Sequence, residues 1–251
     1  MAGQTRYTIT PLSVGTLTIE RPQFVWGQGW GTEVLCPVLM FYVEGGGRRI
    51  MVDTGCADPA QAVKYHKPFV RKPEEEPANA LKRAGIDPTQ VDTVLCTHLH
   101  WDHCYNQELF TKARFLVQRV ELQYAAAPYP IHANVYEAPT TGMTPAYSKT
   151  KFEVVDGDFE LADGFQVLFA PGHAPGMQCP LISTAKGTYY IAGDNVPLYE
   201  NLEGNKFGRP IPGMIYADLG AYYETFRRML KLADHVLPGH DMKVLDQARY
   251  G

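Results

Sequence analysis

The stretch His98-Leu99-His100-Trp101-Asp102-His103 decides how the rest of this chain is read. It follows residues 91–96, a short run rich in Val and Leu that reads as a buried strand, so it stands where a strand hands over to a loop. His98 and His100 are two residues apart, and on an extended segment such side chains point the same way. Asp102 and His103 come next, on what reads as a tight turn. Three imidazoles and a carboxylate this close together are costly to bury without a partner, and they form the donor set that zinc, iron, cobalt or manganese accepts.

The same chemistry recurs further along. Ala170-Pro171-Gly172-His173, Ile191-Ala192-Gly193-Asp194 and Leu237-Pro238-Gly239-His240 each place a ligand-type side chain just after an apolar run, with a Gly that lets the backbone turn sharply. The strands that would carry them are residues 165–170, 179–183 with 188–192, and 236–237; residues 152–155 form a further candidate. Upstream, residues 35–43 and 49–53 read as a hairpin about Gly45-Gly46-Gly47. Helices are predicted over residues 74–84, stopped by Gly85, over 118–127, ended by Pro128 and Pro130, and over 222–233. Residues 128–150 read as a long loop of the kind that is often functional. Strands alternating with helices in two similar halves predict a layered α/β protein.

Composition narrows the classes. The 251 residues, 45% hydrophobic and 20% charged, suit one globular domain over residues 1–251. A net charge of −4 with no run of Lys and Arg speaks against nucleic acid as a partner. No apolar stretch follows a basic start, and none is long enough to cross a bilayer, so the expected location is the cytoplasm, away from membranes. Cys36, Cys56, Cys96, Cys104 and Cys179 are odd in number, widely spaced and without a C-x-x-C pair, which predicts reduced thiols. Cys104, although next to His103, reads as packed and inert.

With its motifs assembled, the chain resembles the metallo-β-lactamase superfamily: the H-x-H-x-D-H run is followed by P-G-H, G-D and G-H, and the likeness extends from Val52-Asp53-Thr54-Gly55 to Gly239-His240-Asp241. Within that superfamily it is most similar to the N-acyl homoserine lactonase group, on the V-D-T-G sequence, the length, Tyr199-Glu200-Asn201 and the closing G-H-D. The resemblance implies a four-layer αβ/βα sandwich and two divalent ions, zinc first, with manganese, iron or cobalt as alternatives. It implies that His98, His100 and His173 hold one ion, that Asp102, His103 and His240 hold the other, and that Asp194 bridges them. Ions roughly 3.5–4 Å apart can share a hydroxide of lowered pKa. That hydroxide would open a lactone, with Asp102 as proton donor to the leaving alkoxide. The implied partner is a small molecule, and a homodimer follows by analogy with the relatives. Cyclic amides, β-lactams, aryl esters and phosphotriesters are alternative substrates for the same site. From another class, the chain could be a non-hydrolytic diiron or metal-binding protein, although the flavin-linked diiron relatives carry Glu where His100 stands.

The chain departs from the group in places. The lactonases place a Tyr three residues after the bridging aspartate, where this chain has Pro197, and Tyr199, two residues on, is the candidate to take its catalytic role. Met177 stands where relatives have a second His after P-G-H. Asp53 has two readings, a support for the histidine loop or a turn cap before Gly55. His66, His132 and His235 read as surface or satisfied core histidines. Residues 24–31, with Trp26 and Trp30 among glycines, read as a flap, and Tyr129, Tyr136, Tyr147, Phe207 and Met214 as apolar walls of a pocket.

Overall fold

The apolar runs on either side of Gly45-Gly46-Gly47 pair as antiparallel strands, and they show how the layers are made. A computed structural model describes residues 4–251. Its elements run β1 (Thr8–Glu20), α1 (Arg21–Phe24), β2 (Glu33–Gly45), β3 (Arg48–Val52), α2 (Pro59–Tyr65), β4 (Phe69–Val70), α3 (Pro77–Arg83), β5 (Thr93–Leu95), β6 (Arg114–Gln118), α4 (Arg119–Ala126) and β7 (Phe152–Val155). They continue with β8 (Phe159–Ala162), β9 (Phe165–Phe169), β10 (Gln178–Thr184), β11 (Gly187–Gly193), α5 (Tyr199–Glu203), α6 (Leu219–Leu232) and β12 (His235–Pro238).

The strands form a seven-stranded sheet, ordered β4-β1-β2-β3-β5-β6-β7, and a five-stranded sheet, ordered β12-β11-β10-β9-β8. Strand side chains alternate between faces, and here both faces are apolar. On β2, Leu39, Phe41 and Val43 join a cluster with Phe165, Val167, Ile182 and Ile191 of the other sheet. Their neighbours Val38, Met40 and Tyr42 point the opposite way, toward Ala62 of α2, Leu81 of α3 and Ala125 of α4. On β11, Tyr189 and Ile191 face the shared core, while Tyr190 and Ala192 face Tyr222, Phe226 and Met229 of α6. Helices therefore cover both outer faces of two packed sheets, which is the four-layer αβ/βα sandwich that the resemblance implies. Each fully buried aliphatic or aromatic side chain contributes about 1.5–3 kcal/mol. A one-residue slip of β2 would exchange its two sets, so its register is strongly set.

The expected helix at 74–84 is divided: a short 3-10 turn (Pro73–Glu75) precedes α3, because Pro77 lacks an N–H and fits the first helical turn, not the interior. Strands β1, β4, β6 and β8 and helices α1, α2 and α5 lie outside the elements that the sequence predicts. β1 is mixed in composition yet mostly buried, since it pairs with β2 along most of its length. The long segment 128–150 contains two 3-10 turns, Pro139–Thr141 and Ala146–Lys149. Among the described residues no helix is long and apolar enough to cross a membrane. All five cysteines are buried and free, and burial pushes the Cys104 thiol well above its usual range.

Candidate metal centre

Five strands end at one edge of the sandwich, and each is followed by polar side chains. β3 leads to Asp53, β5 to Thr97 and the 98–103 turn, β9 to His173, β11 to Asp194 and β12 to His240. β3 and β5 run parallel, as do β11 and β12, so their carboxyl ends lie together, the usual place for a site in α/β sheets. The 98–103 turn is closed by the His103 N–H donating to the His100 carbonyl at 3.0 Å. It is pinned on one side by Thr54 N–H to the His103 carbonyl (2.8 Å) and on the other by Trp101 N–H to the Val135 carbonyl (2.9 Å). Gly193 adopts φ 48, a left-handed conformation that a side chain rarely takes, and Gly239 lies so close that a Cβ there would stand 3.0 Å from Asp194 Oδ1. Small residues thus let the last two loops meet at Asp194.

The seven expected side chains converge in two groups. His98, His100, His173 and Asp194 offer donor atoms within 4.8 Å of one another, as do Asp102, His103 and His240, and all seven are buried. Asp194 spans both: Oδ1 is 3.0 Å from His240 Nε2 and 3.2 Å from His103 Nε2, while Oδ2 is 3.4 Å from His173 Nε2. Asp102 stands 3.8 Å from His103 Nε2 and from His240 Nε2.

The rings are oriented from behind. His98 Nδ1 lies 3.0 Å from Thr97 Oγ1, and His103 Nδ1 2.8 Å from Asp53 Oδ2. His173 Nδ1 donates to the Ile215 carbonyl and His240 Nδ1 to the Pro37 carbonyl, both at 2.9 Å. In these four rings Nε2 is left facing the centre. His100 is turned the other way, with Nδ1 3.0 Å from His173 Nε2. The Nε2 atoms of His98, His103 and His240 and the Oδ1 of Asp194 are buried and, although Oδ1 stands 3.0–3.2 Å from two of these rings, none makes a well-aligned hydrogen bond. A buried polar atom left unpaired costs about 1–3 kcal/mol, and four converging on one spot suit cations that accept their lone pairs. The donor set fits two divalent ions.

Burial pulls His98, His100 and His173 below the ordinary imidazole range. Burial acts the same way on His103 and His240, but Asp194 and Asp102 outweigh it and raise both. Asp194, which burial alone would raise, is held well below the carboxylate range by His240, His103 and His173. Bound cations would take the place of these protons, because ligands must be deprotonated.

Asp53 answers its two readings in favour of support. It sits at φ 59, a rare conformation for a side-chain-bearing residue, and accepts from Thr97 N–H (2.7 Å), Thr97 Oγ1 (2.8 Å) and His103. Tyr199 is not brought to the ligands. It opens α5, packs against the cluster between the sheets, and the charged or phenolic groups that reach its hydroxyl are Tyr250, Asp241, Tyr189 and Asp246. Met177 is buried in the core beneath α6. His66 pairs with Glu137 and stacks on Trp101, His132 bonds the Tyr124 hydroxyl, and His235 bonds the Lys186 carbonyl.

The expected flap is half anchored. Phe24 is buried and stacks on His240 with ring centres 5.0 Å apart, whereas Trp26 is 40% and Phe207 60% exposed, edge to face at 5.4 Å. Tyr136 and Tyr147 are not open walls: both are buried, their hydroxyls bonded to Glu121 and to the Ala125 carbonyl. Sequence reasoning missed Glu121, because a lone Glu in a short helix usually faces solvent. The signal was its spacing with Gln118 and Ala125, which places all three on the buried side of the chain entering α4.

Comparison with known proteins agrees with this construction. The family described as "Metallo-beta-lactamase superfamily" matches residues 34–240. The N-acyl homoserine lactonase AiiA of Bacillus thuringiensis subsp. kurstaki is 31% identical over 179 residues, 66% of this chain and 67% of that protein. The N-acyl homoserine lactonase AttM of Rhizobium radiobacter is 28% identical over 186 residues, 68% and 69% of the two chains. A crystal structure of a quorum-quenching N-acyl homoserine lactone lactonase shares the fold, with a TM-score of 0.75 at 22% identity over 97% of this chain and 95% of that one. The dizinc quorum-quenching lactonase AidC does so with a TM-score of 0.69 at 16% identity, over 96% and 89%. A buried two-group centre at the strand ends of such a sandwich, with a family match across most of its length, makes this chain a member of the metallo-beta-lactamase superfamily.

Proposed function

We propose that this chain is a dinuclear metal-dependent hydrolase that opens a lactone, with the N-acyl homoserine lactones named for its relatives as the first class to try. The observation that carries this reading is Asp194, whose two carboxylate oxygens face different ligand groups. His98, His100 and His173 would hold one ion, Asp102, His103 and His240 the other, and Asp194 both, with zinc as the first candidate. Bound there, two such ions supply a water of lowered pKa and a Lewis acid for an ester carbonyl.

The chain's own residues do the rest. Ring opening adds water across the acyl C–O bond: its hydroxyl ends on the carbonyl carbon and its proton on the ring oxygen. Asp102, the more exposed of the two ligand carboxylates, would carry that proton from one to the other. Trp26, Phe207 and Met214 offer an apolar rim beside Phe24, and backbone bonds from Trp26 N–H to Pro212 and from Met214 N–H to Gln23 tie the two segments together. The core shared by both sheets supports reading the chain as one domain, and five buried free cysteines suit a reducing compartment such as the cytoplasm.

A panel of lactones, cyclic amides, β-lactams, aryl esters and phosphotriesters, offered to protein of known metal content and followed by mass spectrometry, tests this reading. Addition of one water to a lactone is expected. Turnover of another class with no lactone opened would retire the lactonase assignment and leave the hydrolase. Metal-replete protein that hydrolyses nothing would overturn both.

A further inference from the structure

We infer that Glu121 is the positioning residue of the first ligand group: its buried carboxylate ties the turn bearing His98 and His100 to the loop bearing His173, while the second group is held by other means. The inference deepens the proposed function and rests on it for the presence of two ions.

Glu121 lies in the first turn of α4 and is fully buried. Oε1 accepts the Leu99 N–H at 2.9 Å, from the residue between His98 and His100. The same oxygen accepts the Tyr136 hydroxyl at 2.9 Å, and the Tyr136 ring stands edge-on to His100 with centres 4.5 Å apart. Oε2 accepts the Gly176 N–H at 3.0 Å, three residues after His173. The loop lies directly on the helix there, for a Cβ at Gly176 would stand 2.2 Å from the Glu121 nitrogen. One carboxylate thus fixes three segments that share one purpose, the placing of His98, His100 and His173.

The second group has separate anchors. His103 leans on Asp53 and His240 on the Pro37 carbonyl, and none of the three bonds to Glu121 reaches Asp102, His103 or His240. Asp102 and His103 share the turn but have these anchors of their own, so loss of Glu121 should weaken the first group well more than the second. Supporting contacts of this kind typically govern about 10–100-fold in metal affinity.

Glu121→Gln keeps the size but turns an amide N–H₂ toward one of two N–H donors, so at least one backbone link is lost. Zinc affinity would be measured by chelator competition in four proteins: His240→Ala and His173→Ala, each with and without Glu121→Gln. In the His240→Ala background, where the first group binds alone, the added change is expected to lower affinity at least about tenfold. In the His173→Ala background it should leave affinity within about threefold, well below that range. Equal loss in both backgrounds, or no loss in either, overturns the inference. If Glu121→Gln does not fold, Tyr136→Phe carries the same test: a fall confined to the first group supports the inference, and unchanged affinity overturns it. Wild-type protein titrated alongside separates the two ideas, since failure to take up two zinc ions defeats the dinuclear reading itself.

Discussion

The seven-stranded sheet delivers four of the seven ligand side chains within one six-residue turn, whereas the five-stranded sheet delivers three, each from its own loop. In the first region the ligands are neighbours in sequence, so the few bonds that fix one turn, from Asp53, Thr54, Val135 and Glu121, hold all four. In the second, His173, Asp194 and His240 meet only because three loops are clipped together. Asn195 does much of this: its Oδ1 accepts the His173 N–H at 3.2 Å and its Nδ2 donates to the Ala170 carbonyl at 2.8 Å. The Tyr222 hydroxyl adds a bond to the Asp194 carbonyl at 2.8 Å. The contrast teaches that one half of the centre is made by chain order and the other by packing, and that each should fail in its own way.

The two halves join at Asp194, so Asp194→Asn is the largest break. Activity is expected to fall by more than the roughly 100-fold typical of a lost supporting contact, with metal content, read by elemental analysis, reduced for both ions. Retention of two ions and full activity would show that the halves do not meet there. Asp53→Ala strikes the sequence-local half from behind, leaving Thr97 N–H and His103 Nδ1 unpaired, and should lower metal affinity about 10–100-fold. Chelator competition checks it.

Asn195→Ala probes the packed half. Two buried backbone groups lose their partner, and urea unfolding should show a loss of about 1–3 kcal/mol. If metal affinity fell as far as for Asp53→Ala, the second half would be no more tolerant than the first. The smallest effect belongs to the outer layer, where Arg228 of α6 pairs with Asp158. Burial acts to raise the Asp158 pKa, but Arg228 and the Phe169 N–H outweigh it and leave it lowered. A lowered carboxylate stabilises the fold above its unfolded pKa of about 4 and ceases to as pH falls through its folded value. Both side chains are more than a third exposed, so Arg228→Ala should cost under about 1 kcal/mol at pH 7 and nothing measurable near pH 2, by thermal unfolding across pH.

The same contrast explains what could be read in advance. The 98–103 run is visible because its ligands are adjacent, and the later three because each repeats a Gly before a ligand after an apolar strand. Strands with continuous apolar runs, such as β2 and β11, are legible, while β1 is not, because its apolar alternation changes phase at Pro11 and again about Gly15, where its pairing with β2 shifts register. Asp53 could be named but not settled, since a turn cap and a ligand support look alike until Thr97 and His103 are seen around it. For Glu121 the spacing with Gln118 and Ala125 signals burial but not role, since nothing beside it in the chain tells that Leu99, Tyr136 and Gly176 converge on it. The role of Tyr199 is not legible from its place two residues beyond Pro197, because position along the chain says nothing of the direction in which α5 points its side chain.

His240 is oriented by the Pro37 carbonyl, 203 positions away in the chain, and its ring lies on Phe24. Contacts between such distant residues close the longest loops, at the greatest entropic cost. A molecule with only its first sheet in place would display the 98–103 turn without the three donors that follow strands of the second sheet. Tight uptake of the second ion would then report on the finished fold, and by mass action the ion stabilises that state over every earlier one.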